Sequence, residues 1–144
     1  MQKITPFLWF DGQAEEAAKF YTSIFKNSKL GGVSPMAASF ELEGLQFTAL
    51  NGGPRFKFTE AISLYVNCET QDEVDYYWDR LGDGGQIQQC GWLKDRFGVS
   101  WQVIPSVLPK LLSSPEQEKA GRAMQAMMQM QKIDIAALQR AYDG

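Results

Sequence analysis

Gly98-Val99-Ser100-Trp101-Gln102-Val103-Ile104 and, earlier in the chain, Gly44-Leu45-Gln46-Phe47-Thr48-Ala49-Leu50 read as two versions of one strand. Each opens on glycine and then alternates its side chains with the period of two that a strand requires. Each has a companion upstream. Thr5-Pro6-Phe7-Leu8-Trp9-Phe10-Asp11 leads into a short helical pattern ending in Phe20-Tyr21, and Ala61-Ile62-Ser63-Leu64-Tyr65-Val66-Asn67 leads into one carrying Tyr76-Tyr77. The offset is about 56 residues early in the unit and about 54 late, so order and spacing both hold, as in a duplicated module. Ligand sites tend to form where such halves face each other.

The segments between complete the pattern. A helix is expected at about residues 13–25, with Ala17, Ala18, Phe20, Tyr21, Ile24 and Phe25 at helical spacing, after a strand at about 3–10. Strands fit near 29–34, 36–43 and 45–51, with Glu43-Gly44 as a hairpin turn. Asn51-Gly52-Gly53-Pro54 breaks the pattern and links the modules. The second module has a strand at about 61–67 and a helix at about 71–81, which Thr70 and Glu73 start as a capping box. Gly82-Asp83-Gly84-Gly85 follows a helix instead of preceding one, so it reads as a cap and turn, not a phosphate cradle. Short strands at about 86–89 and 91–94 lead through Asp95-Arg96-Phe97-Gly98 into a last strand at about 99–104. Each module is β-α-β-β-β.

Residues 1–144 thus read as a single domain, with module one at about 1–53, module two at about 54–106 and a helical tail at about 107–144. Pro105, Pro109 and Pro115 punctuate the exit. Ser114-Pro115-Glu116-Gln117 predicts a helix start with Ser114 as N-cap. Ala120, Met124, Met127 and Met128 then form a face expected to pack on the body or on a second subunit. Asp134 is expected to cap a final helix with Ile135, Leu138 and Tyr142 facing inward.

The 144 residues carry 14 Lys and Arg against 17 Asp and Glu, a net charge of −3, and the scattered cations argue against nucleic acid as a partner. No apolar run approaches the roughly 20 residues of a membrane span, and the N-terminus has no signal-peptide core, so a cytoplasmic protein with reduced thiols is expected. Cys68 and Cys90 do not make a disulfide framework. There is no histidine. That removes the commonest general base and transition-metal ligand together, and with them the Ser-His-Asp and Cys-His arrangements.

Alternation sorts the strand faces. Pro6, Leu8 and Phe10 oppose Thr5, Phe7 and Trp9. Phe47 and Ala49 oppose Gln46, Thr48 and Leu50. Ile62, Leu64 and Val66 oppose Ala61, Ser63 and Tyr65. Val99, Trp101 and Val103 oppose Ser100, Gln102 and Ile104. One face of each strand is apolar and should pack on the helices. The other mixes hydroxyls, amides and large aromatics but carries no Lys, Glu or Arg, which describes the lining of a sheltered pocket better than an open sheet surface.

Three stretches resemble the PhnB-like branch of the vicinal oxygen chelate (glyoxalase/bleomycin resistance/dioxygenase) superfamily, whose members are often labelled 3-demethylubiquinone-9 3-methyltransferase-like. They are Pro6-Phe7-Leu8-Trp9-Phe10-Asp11-Gly12 with its helix, Ala61-Ile62-Ser63-Leu64-Tyr65-Val66, and Trp92-Leu93-Lys94-Asp95-Arg96-Phe97-Gly98-Val99-Ser100-Trp101-Gln102-Val103. Lys132-Ile133-Asp134-Ile135-Ala136-Ala137-Leu138 is similar to the tail of that branch. The resemblance implies an α+β fold in which two βαβββ modules form a curved mixed sheet around a cavity, with a C-terminal helical tail. It also implies a homodimer.

Enzymes of the superfamily hold a divalent metal with His, Glu or Gln from the first, fourth, fifth and eighth strands. Carried across, those positions are Thr5 or Phe7, Thr48, Ala61 or Ser63, and Gln102. Only Gln102 could ligate a metal well, and one neutral amide is not a site. No metal and no cofactor are therefore expected. The expected function is metal-independent binding of a small-molecule ligand. Phe7, Trp9 and Tyr65 would supply stacking surface, Thr48, Ser63 and Gln102 orienting hydrogen bonds, and Trp92 would close one end. The alternative is a PhnB-like enzyme, an isomerase, lyase or methyltransferase-like protein of unknown substrate, with Tyr65, Cys68 and Glu41 as its acid-base candidates. No glycine-rich strand-to-helix turn of the S-adenosylmethionine-binding kind is evident.

Overall fold

The computed structural model describes residues 2–144 as two compact units, one ending at Phe58 and one running from Thr59 to Gly144. The first holds β1 (Phe7–Phe10), α1 (Ala14–Ile24), β2 (Ser28–Val33), β3 (Ala37–Leu42) and β4 (Leu45–Asn51). The second holds β5 (Leu64–Cys68), α2 (Gln71–Gly82), β6 (Gln86–Ile87), β7 (Trp92–Lys94) and β8 (Ser100–Pro105). It continues into α3 (Val107–Leu112), α4 (Gln117–Met128) and α5 (Ile135–Asp143). The strand orders are β1-β4-β3-β2 and β5-β8-β7-β6, the same plan twice. In each sheet the first strand pairs in parallel with the last, and the other pairs are antiparallel. The architecture is α+β, two mixed four-stranded sheets with a helical tail.

The register adjusts the repeat. An offset of about 56 would set Tyr65 against Trp9. The pairing of Phe7 with Thr48 and of Tyr65 with Gln102 instead makes Phe7 the counterpart of Tyr65.

In the first unit, Ala17, Ala18 and Tyr21 of α1 are fully buried, and Tyr21 meets Phe40, which stacks on Phe47 at 5.1 Å. Gln13 gives α1 no side-chain cap; Asn51 Oδ1 accepts from Ala14 N at 2.9 Å instead. At the other end the Ser28 hydroxyl donates to the Thr22 and Phe25 carbonyls. Glu43 and Gly44 both have positive φ, as a two-residue hairpin turn needs, and join Leu42 to its partner Leu45.

In the second unit Thr70 caps α2 by accepting from Glu73 N, and Glu73 returns a bond to Glu69 N. Val74, Trp78 and Leu81 of α2 are buried. The Asp95-to-Gly98 turn is locked by one buried carboxylate. Asp95 Oδ1 accepts from Phe97 N and Val99 N, and Oδ2 from Trp101 Nε1 at 2.8 Å. A buried carboxylate is tolerated when both its oxygens are matched in this way.

Several sequence expectations need correction. The first strand begins only at Phe7. The fifth begins at Leu64, because Thr59 Oγ1 holds Ala61 N in a turn just ahead of it; Ile62, expected on the packed face, is 69% exposed. Helix α3 forms where prolines were read as punctuation: Pro109 falls in its first turn, where a missing N–H costs nothing. Ser114 does not cap α4. It accepts from Glu116 N and bonds Tyr142 Oη, and Glu116 is the N-cap. Of the methionine face expected to pack on the body or on a second subunit, Met127 packs on the body and Met124 and Met128 are exposed on the single chain; Ala123 is the buried residue of α4. Asp134 does cap α5, accepting from Ala137 N.

Candidate ligand-binding site

The register places three expected site residues in one row. Tyr65 on β5 and Trp92 on β7 both face Gln102 on β8, which lies between them. Strands lie about 4.8 Å apart in such a sheet, and side chains at paired positions point to the same side. The row therefore presents a phenol, an amide and an indole side by side. The Gln102 amide donates to Ser63 Oγ at 3.0 Å, so Ser63 orients it from just ahead of β5.

Above this row is a cavity of about 270 Å³. Tyr65, Gln102 and Trp92 line it together with Cys90 and Ile104, and Leu108, Pro109, Leu112 and Met127 from α3 and α4 form its far wall. None of these side chains is charged. Burial, and secondarily the Cys68 thiol, holds the Tyr65 phenol above its ordinary value, so at neutral pH it is a neutral hydrogen-bond donor.

The other expected residues lie elsewhere. Phe7 and Thr48 pair with each other in the first unit, and Phe7 is exposed. The Trp9 indole N–H already donates to the Gly53 carbonyl at 2.9 Å, and its ring meets Phe56 edge-on at 4.8 Å. Among the acid-base candidates, Cys68 is fully buried, and desolvation, with the nearby Glu73 and Glu69 carboxylates, pushes its thiol up to about 12. It is an inert core thiol. Glu41, on β3, accepts from Gln46 Nε2 on the adjacent strand.

The donor set does not suit a divalent metal. The row supplies a phenol and an amide, Ser63 a hydroxyl, and among the described residues no group of three or more His, Cys, Asp or Glu could hold an ion. Hard cations need several anionic oxygens, and zinc needs nitrogen or thiolate.

Five lining residues escaped the sequence reading: Cys90, Leu108, Pro109, Leu112 and Met127. Two signals pointed to them. Ile104 was the one large apolar residue on the mixed face of its strand, which marks it as an anchor for something that covers that face. Leu108, Leu111 and Leu112 have the spacing of a helical stripe, and Pro109 hid it.

The family model for 3-demethylubiquinone-9 3-methyltransferase matches residues 2–104. The PhnB protein from Bacillus cereus is 39% identical, over 73% of this chain and 100% of its own, with a TM-score of 0.68. Protein PA1353 from Pseudomonas aeruginosa is 23% identical over 73% of this chain and 98% of its own, with a TM-score of 0.62. The fosfomycin resistance protein FosX from Listeria monocytogenes, solved with Mn(II) and sulfate, is 18% identical over 70% of this chain and 88% of its own, with a TM-score of 0.53. The last two share the fold alone. No curated protein matches.

Proposed function

The chain belongs to the 3-demethylubiquinone-9 3-methyltransferase family, in its PhnB-like branch with the glyoxalase/bleomycin resistance fold, and on that premise we propose that it binds a small uncharged molecule without a metal. The observation that carries this reading is the Tyr65–Gln102–Trp92 row at the base of a cavity with no charged lining. Trp92 supplies a flat stacking surface, Tyr65 a hydroxyl donor, and Gln102 a donor or acceptor oriented by Ser63. At about 270 Å³ the space is slightly below the usual range for drug-sized ligands, which favours a compact one.

Binding accounts for this geometry better than catalysis does. General acid-base work at neutral pH needs a group that titrates nearby. Tyr65 is shifted the wrong way for a base, and Cys68 is sealed in the core. Methyl transfer from a sulfonium donor would bring a cation into a cavity with no acidic side chain to receive it. Met124 and Met128 leave an apolar pair exposed on α4, which supports a homodimer as part of the same proposal.

Native mass spectrometry of freshly purified, undialysed protein tests both parts. The expected species is a dimer retaining one small molecule per chain, with the adduct lost in Trp92→Ala. A spectrum of bare polypeptide overturns the binding role, and a monomer at micromolar concentration overturns the dimer.

A further inference from the structure

The family model matches only as far as Ile104, although residues 132–138 resemble the tail of the branch, and the Bacillus cereus PhnB protein is covered along its whole length by 73% of this chain. The cavity does not end there. Leu108, Pro109, Leu112 and Met127, which form one of its walls, all lie beyond that limit. The wall is also firmly seated. The Met130 and Gln131 carbonyls accept from Cys90 N and Gly91 N, both at 2.8 Å. The Gln71 side chain donates to the Ile133 carbonyl and accepts from Ile135 N, and Lys132 pairs with Asp75 at 2.9 Å. Beneath these bonds Ile104, Leu108, Leu111, Ala123, Ile133 and Leu138 form one buried cluster. The tail is thus part of the second unit's structure, tied to both its helix and its sheet.

We propose that this extension is the specificity element of the site: α3 and α4 turn one side of the family's sheet into a pocket for an uncharged, mostly apolar ring compound with a single carbonyl or hydroxyl group. The ring lies between Trp92 and the Leu112–Met127 wall, and its polar end meets Tyr65 and Gln102. Charge is excluded because the wall offers only hydrocarbon and thioether surface, and an unpaired ion there loses its water without compensation. This inference rests on the binding role of the same cavity, and the experiment below separates the two.

Acetophenone and benzoate carry the same ring, one with a neutral carbonyl and the other with a carboxylate. Equilibrium dialysis with the full-length protein should show preference for acetophenone by at least about tenfold, the lower end of what an apolar pocket discriminates. Met127→Lys places a cation in the wall and should shift that ratio toward benzoate by about tenfold or more. Gln125→Lys, exposed on the same helix and outside the cavity lining, should leave it unchanged. Leu112→Gln, a milder change in the same wall, should weaken acetophenone without gaining benzoate, and it keeps the test open should Met127→Lys fail to fold. If wild type prefers acetophenone and neither wall variant moves the ratio, the tail has no part in specificity and the binding role stands. If wild type takes up neither compound, the inference falls. The native mass spectrum of the same preparation then shows whether the binding role falls with it.

Discussion

The two sheets share a strand order, yet they treat the same row of residues differently. In the first, Phe7, Thr48 and Ser39 face one another across β1, β4 and β3. In the second, the matching row is Tyr65, Gln102 and Trp92. The first sheet has long hairpin strands, Ser28–Val33 and Ala37–Leu42, while their counterparts are only Gln86–Ile87 and Trp92–Lys94. β7 pairs with β8 only as far as Gln102, so Ile104 beyond it has no β7 neighbour and the tail packs on it. The two sheets are scaffolds of one plan, and the tail that follows the second supplies one wall of its pocket.

If the scaffolds were equivalent in energy as well as in topology, matched substitutions would cost the same. Phe47 and Trp101 occupy matching positions, both buried. Phe47→Ala should cost about 3–5 kcal/mol, as large-to-small core changes do. Trp101→Ala should exceed it by about 1–3 kcal/mol, because Asp95 Oδ2 then loses its indole donor inside the core. Gln102→Leu, the next residue but half-buried, should cost less than about 1 kcal/mol. Denaturant melts of the three variants suffice. Equal costs at Phe47 and Trp101 would mean that the Asp95 lock contributes nothing, and a Gln102→Leu more damaging than Trp101→Ala would reverse the strand faces.

Glycines sharpen the contrast at smaller magnitude. Gly44 and Gly91 both have φ near +80°, at 85° and 82°. A Cβ at Gly44 meets open space, so Gly44→Ala carries only the conformational penalty, about 1–2 kcal/mol. At Gly91 it would also lie 2.7 Å from Ile104 Cδ1 and 3.1 Å from Ile133 Cγ1, where sheet and tail meet. Gly91→Ala should therefore cost about 1–3 kcal/mol more. Equal melting shifts would mean that the tail yields freely at this point.

Another expected difference depends on pH. By register Cys68 stands where the first unit has Phe10, which cannot ionise. Its folded thiol lies near 12 against an ordinary 9.0, so the fold favours the protonated form. The stability linked to it is complete below about pH 9 and is lost as pH rises from there toward about 12. Urea melts at about pH 8 and about pH 10.5 should show a decline that Cys68→Ala reduces. An undiminished decline in that variant would assign the effect to another group.

Much of this was legible in the chain. Period-two alternation located the strands and their faces, since a sheet buried on one side must alternate. Thr70 and Asp134 announced their helices because capping is local chemistry. The exit segment was not legible for the same reason: Pro109 is a breaker in mid-helix and harmless in a first turn, and only the position of the helix decides which. The row of site residues was half visible. Parity put Tyr65 and Gln102 on one face, but which strand brings Trp92 alongside depends on long-range pairing. The wall was hidden because it rests on Gln71 meeting Ile133 and Ile135, a contact that no local pattern encodes.

That same clamp sets an order of events during synthesis. A chain emerges from the ribosome N-terminus first, and its early parts fold before the rest arrives. The first sheet draws only on residues up to Asn51, so nothing later is needed to pair its strands. The second sheet is available once Pro105 has emerged, but Gln71 and Asp75 must wait for residues 132–135. Until then Ile104 is uncovered, and a nascent chain stalled in the tail presents a sticky strand face to whatever is nearby. The pocket wall is therefore seated only after both sheets can pair, once residues 130–135 have left the ribosome.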